Sequence, residues 1–96
     1  MSKKYNTKRL RLAILKEVEK GSQINNGMFD VPKDDFRSFL ENMEKDGYVD
    51  GVHSTKDRLI LSELRLRPDG EKYLEENSSL AKAYNGLKEI RSWILG

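Results

Sequence analysis

Phe36, Phe39, Leu40 and Met43 recur at i, i+3, i+4 and i+7 between a proline at position 32 and a glycine at position 47. That spacing puts four large apolar side chains on one face of a helix. Pro32 suits a first helical position, because its ring presets φ and its missing N–H leaves no bond unmade there. Asp34 and Asp35 then fall where the helix dipole favours acids. A helix this amphipathic needs other elements to cover its apolar face. In a chain of 96 residues those elements belong to one small domain.

The flanking sequence supplies them. Leu10, Ile14 and Val18 recur every fourth residue, widened by Ala13 and Leu15, with Asn6 or Thr7 as the cap and Gly21 beyond the last turn. On this first helix Lys8, Arg9, Leu12 and Lys16 are expected to project from the opposite, basic side. Residues 21–31 are rich in Asn and Gly, so we expect at most a strand fragment or one helical turn, its apolar residues plugging one end of the core.

After Gly47, residues 48–52 read as a short strand, residues 53–57 as a polar turn, and a second strand runs from Arg58 or Leu59 to about Leu66. Together they form a β-hairpin. Pro68 opens a third helix that uses Tyr73 and Leu74 as buried contacts and breaks at Asn77. From Leu80 onward, Ala83, Tyr84, Leu87, Ile90 and Ile94 predict a last amphipathic helix of about four turns.

Helix, irregular turn, helix, hairpin and helix is the order of a winged helix, the helix-turn-helix variant whose hairpin is the wing. The expected fold class is therefore α+β, with a winged-helix domain over residues 1–77 that includes a basic N-terminal arm. A C-terminal amphipathic helix over residues 78–96 is expected to pack on the same domain. The passage Leu66-Arg67-Pro68-Asp69-Gly70-Glu71-Lys72-Tyr73-Leu74 resembles the wing-to-helix step of many bacterial winged-helix regulators. Arg67 stands where those proteins carry a capping Thr or Ser, so that hydrogen bond is not expected here.

A wider resemblance rests on Leu12-Ala13-Ile14-Leu15-Lys16-Glu17, on Phe36 with Leu40 before Gly47-Tyr48, and on Gly51-Val52-His53. It continues through Gly70-Glu71-Lys72-Tyr73-Leu74, Lys82-Ala83-Tyr84, Leu87-Lys88-Glu89-Ile90 and Trp93-Ile94. Over nearly its whole length the chain resembles the YjcQ-like family of small bacterial and phage-associated winged-helix proteins. The resemblance implies a winged-helix fold in a phage or prophage setting, with DNA binding inferred from the fold. It supplies no ligand and no catalytic residue.

The net charge of +2 is too small to imply a polyanionic partner, but its distribution is uneven. Residues 1–16 carry six positive charges and no acid, whereas residues 17–50 carry four positive and nine negative. The candidate contacts to a DNA backbone are therefore Lys3, Lys4, Lys8, Arg9 and Lys16, forming an arm and a helix face, with Lys56 and Arg58 at the wing tip. The helix that would enter the major groove sets Lys33, Arg37 and Lys45 against Asp34, Asp35, Glu41, Glu44 and Asp46, a net charge of the wrong sign for phosphate. Arg37 and Asn42 are its candidates for base edges. A competing expectation is a protein-interaction module that docks through this acidic helix and the C-terminal helix, without DNA. Trp93 falls off the final apolar stripe, so Tyr84, Leu87, Trp93 and Ile94 are candidates for a homodimer contact, with packing on the first helix as the alternative within one chain.

Other chemistry has little to stand on. The chain has no cysteine, and hence no disulfide, thiolate metal site or thiol nucleophile. His53 is the one histidine; any hydrolytic triad would run through it, and its neighbour Ser54 comes with no acid placed to orient the ring. The carboxylates Asp34, Asp35, Glu75 and Glu76 read as helix-terminal and solvent-facing groups. We expect no enzyme activity, cofactor, metal or small-molecule substrate. No run approaches the roughly 18 apolar residues of a membrane span, so a cytoplasmic location without membrane contact is expected.

Overall fold

The computed structural model describes residues 5–87 and 89–95. Asn6 starts the first helix, α1 (Thr7–Glu19), by accepting from the Arg9 amide at 3.0 Å through its side-chain oxygen. Beyond the end of α1, Gly21 takes a left-handed φ of 79°. One turn of helix follows, α2 (Asn26–Phe29), and then the long amphipathic helix α3 (Lys33–Lys45). Pro32 sits one position outside α3, as its N-cap. Phe36, Leu40 and Met43 are buried as expected, while Phe39 is partly buried and meets Tyr5 edge-on.

The hairpin follows as β1 (Val49–Asp50), β2 (His53–Ser54), β3 (Leu59–Ile60) and β4 (Arg65–Leu66). Val49 pairs with Leu66 and Asp50 with Arg65, then His53 pairs with Ile60 and Ser54 with Leu59, all antiparallel. The continuous strand expected to run to Leu66 is broken, because residues 61–64 bulge opposite Gly51 and Val52. Gly51 permits the bulge: its φ is +86°, and a Cβ there would lie 2.0 Å from the Glu63 carbonyl oxygen. The polar turn also shifts outward, since His53 and Ser54 are strand residues and the tip begins at Thr55.

Pro68 opens α4 (Pro68–Glu76), whose N-cap Arg67 makes no side-chain capping bond. The single last helix expected from Leu80 is instead two helices, α5 (Ser78–Asn85) and α6 (Ile90–Leu95). Gly86 closes α5 by donating to the Ala83 carbonyl, and the chain returns so that α6 packs on α1 and α2. The return ends beside the start, where the Asn6 amide donates to the Ile94 carbonyl at 2.7 Å.

The main correction concerns α1. It is packed by α4, α5, α6 and β4 at once, so it has no broad solvent face. Leu12, expected to point outward, is 0% exposed and lies in the core with Leu10, Ala13, Ile14 and Leu15; Val18, expected inside, is only partly buried. Arg11 is drawn in too, its guanidinium lying 5.3 Å from the centre of the Tyr48 ring and 5.5 Å from that of Tyr73. The result is an α+β fold, helices with a small antiparallel hairpin, consistent with the winged-helix order of elements. No helix among the described residues is long and apolar enough to cross a membrane.

Candidate interaction surface

Helix α3 and the wing are joined along one row of side chains. Arg37, Glu41 and Glu44 follow one another at i, i+4 and i+7, beside the stripe that enters the core. Arg37 donates to the Thr55 carbonyl at 3.0 Å, Glu41 accepts from the Ser54 hydroxyl at 2.9 Å, and Glu44 accepts from the Val52 amide at 3.0 Å. The Val52 amide is one of the donors left without a ladder partner by the bulge, and Glu44 satisfies it. Arg37, a candidate for base edges, is thus engaged with the wing tip. Asn42, the other candidate, is exposed.

The outer face of α3 is left to Asp34, Asp35, Ser38, Asn42, Lys45 and Asp46, all exposed. Three acids against one lysine make that face anionic. At the wing tip, Thr55 Oγ1 accepts from the Arg58 amide at 3.1 Å, and Lys56 and Arg58 are exposed on either side of Asp57. At the base of the wing, Asp50 is flanked by Arg65 at 3.1 Å and Arg67 at 3.7 Å; the Arg65 hydrogen bond leads in holding its carboxyl below the usual range. His53 Nε2 lies 2.8 Å from Glu63 Oε1, both side chains being exposed, so no buried acid orients the ring.

The basic block of the N-terminus disperses on folding. Lys3 and Lys4 lie outside the described residues, and Lys8 is exposed. Arg9 donates to the Trp93 carbonyl at 2.9 Å, with its guanidinium 5.3 Å from the centre of the Trp93 ring. Lys16 is paired with Glu19 at 2.9 Å. What was read as one cationic face is therefore split between solvent and intramolecular partners.

Of the four candidates for a homodimer contact, Tyr84 and Ile94 are buried and Leu87 and Trp93 partly so. Tyr84 and Ile94 are 4% and 1% exposed, buried inside the domain. Trp93 meets Tyr84 edge-on at 5.5 Å as well as Arg9, and Leu87 is partly buried. Trp93 falls off the stripe because the stripe is divided at Gly86, and it packs against α1.

One pair escaped sequence reading. Glu17 is 4% exposed, accepts from the Tyr84 hydroxyl, and has Lys20 3.5 Å away. Its signal was position, since Glu17 lies three residues after Ile14 on the stripe of α1. Burial pushes the Glu17 carboxyl up, but hydrogen bonds from Tyr84 and Ser22 and the charge of Lys20 outweigh it, leaving Glu17 below its ordinary value. Burial, and then the Glu17 bond, raise the Tyr84 phenol well above its own. A carboxylate whose folded pKa is depressed stabilises above its unfolded pKa, near 4.3, and loses that contribution as pH falls through the folded value. We expect Tyr84→Phe to cost about 1–3 kcal/mol at neutral pH. The gap from the parent chain should narrow below roughly pH 4, as urea unfolding at the two pH values would read.

Comparison with known proteins places residues 10–93 within the family model described as YjcQ protein. The chain is 39% identical over 92 residues to the protein named "Uncharacterized protein YjcQ" of Bacillus subtilis (strain 168), covering 93% of this chain and 98% of that one. No solved structure matches.

Proposed function

The chain belongs to the YjcQ family, and we propose that it is a non-enzymatic winged-helix module that binds a partner protein through the outer face of α3 and the adjoining wing. The carrying observation is the charge of that face: Asp34, Asp35 and Asp46 stand exposed around Lys45, while Arg37 is held by the Thr55 carbonyl. Each acid brought to a phosphate backbone opposes binding, whereas a basic protein surface matches it. Ser38 and Asn42, exposed between the acids, offer hydrogen-bonding groups at the middle of the face. A bacterial setting is supported by the Bacillus subtilis relative.

The second reading is DNA binding, favoured by Lys56 and Arg58, which are exposed at the wing tip, with Lys8 exposed on α1 and Lys3 and Lys4 preceding it in the sequence. The two readings separate in a salt series with a generic duplex. Contact by all of Lys3, Lys4, Lys8, Arg9, Lys16, Lys56 and Arg58 would give a log–log slope of roughly −6, at about −0.9 per neutralised phosphate. Wing-tip contact alone gives about −2. We expect no binding, or a slope no steeper than the wing tip accounts for. A slope approaching the full value, abolished when Lys8, Lys56 and Arg58 are reversed to Glu, would replace the protein-binding reading with the DNA one.

A further inference from the structure

The wing has two edges, and α3 covers one. On the other, β3 is paired with β2 alone, and its free side opens onto a groove of about 510 Å³. Val18, Ile24, Leu61 and Leu64 contribute apolar patches to a groove whose open surface is otherwise mostly polar, with Ser22 and Gln23 forming part of the wall facing β3. Ile60, in the edge strand, is 38% exposed, one of the large apolar residues most open to solvent. Arg58 also lines the groove; no carboxylate of the described residues lines it, and none pairs with Arg58.

We propose that this groove receives an extended peptide of a partner protein, which adds a strand to the open edge of β3 and sets an acidic side chain against Arg58. An exposed strand edge offers main-chain donors and acceptors that an extended segment can pair with; here the edge is short, Leu59–Ile60, and the Leu61 carbonyl beyond it is taken by the Leu64 amide. Successive side chains of such a segment point to opposite faces, so alternate residues meet the lining, small apolar ones against Val18, Ile24, Leu61 and Leu64, while the others stay in water. The cation at one end, with no acid in the lining to oppose it, selects a carboxylate there. The Thr55–Arg58 turn hydrogen bonds hold the backbone of Arg58 in place for that contact.

This deepens the protein-binding reading, but it uses the wing edge away from α3, so the two stand or fall on different residues. The probe is a short capped peptide of alternating valine and threonine with one glutamate, titrated into the isotope-labelled full chain and followed by amide shifts. We expect shifts and slowed amide exchange confined to residues 21–24 and 58–64. Replacing the peptide glutamate with lysine, or introducing Arg58→Glu, should each weaken binding by about tenfold, and combining the two should restore it. Gln23→Trp, an exposed position on the facing wall, should block binding while leaving the remaining spectrum unchanged. Silence in the groove at millimolar peptide would overturn the proposal, as would shifts restricted to residues 34–46, which leave the α3 reading intact. Groove shifts that grow with protein concentration alone, together with a doubled mass, would make the occupant a second copy and overturn it too.

Discussion

Gly51→Ala is expected to lower the stability of the domain by about 3 kcal/mol, seen as a fall in the urea midpoint with little change in slope. Two costs combine. The left-handed backbone at +86° disfavours any Cβ by about 1–2 kcal/mol, and the new methyl would sit 2.0 Å from the Glu63 carbonyl oxygen and 2.5 Å from its carbon. Those neighbours are main-chain atoms, so relief requires the bulge at 61–64 to move as a unit. Its movement would draw Val52 away from Glu44 and loosen the wing from α3. Gly21→Ala is the matched control, because Gly21 shares the positive φ, at +79°, with nothing within 4 Å of the new Cβ. It should cost only about 1 kcal/mol. Equal losses for the two variants would show that the contact at the bulge is not what requires glycine.

Leu12→Lys is expected to be more damaging still, leaving the chain largely unfolded at room temperature. Leu12 is 0% exposed in a helix packed from several sides, so the ammonium could not reach water without displacing a neighbouring element. The lost apolar burial alone accounts for about 2–5 kcal/mol, and desolvating a charge adds to it; small domains hold only about 5–15 kcal/mol in total. A collapsed amide spectrum and loss of the cooperative melt would be the readout. Lys8→Leu, at an exposed position one turn earlier, should change stability by no more than about 0.5 kcal/mol. If Leu12→Lys melted like the parent, α1 would have the solvent face that its sequence implied.

The difference between α1 and α3 marks what a sequence of this kind discloses. Phe36, Leu40 and Met43 were legible because α3 has one buried side and one wet one, which periodicity reports directly. Helix α1 is enclosed, and its charged residues hide that from its pattern. Arg11 lies against two tyrosines, and Arg9 is held by Trp93, 84 positions away along the chain. A long side chain can bury its stem and still place its charge, so the residue type alone did not reveal the packing. The hairpin was placed correctly, yet its bulge depends on how residues 61–64 meet Gly51, a pairing that alternation along either strand does not contain.

The candidate surface divides in the same way. Lys56, Arg58 and Asn42 emerge exposed, as local composition implied. Arg37 has a partner that local composition does not show, the Thr55 carbonyl, presented only once the wing has folded back on α3. The split of the last helix was announced by Gly86, but the apolar stripe continued past it and masked the break.

The 2.7 Å bond between the Asn6 amide and the Ile94 carbonyl makes the domain nearly a closed ring. The start of α1 and the end of α6 therefore lie side by side. A short bridge between them, with the chain reopened among the exposed residues of the wing tip, would give a circular permutant with the same core.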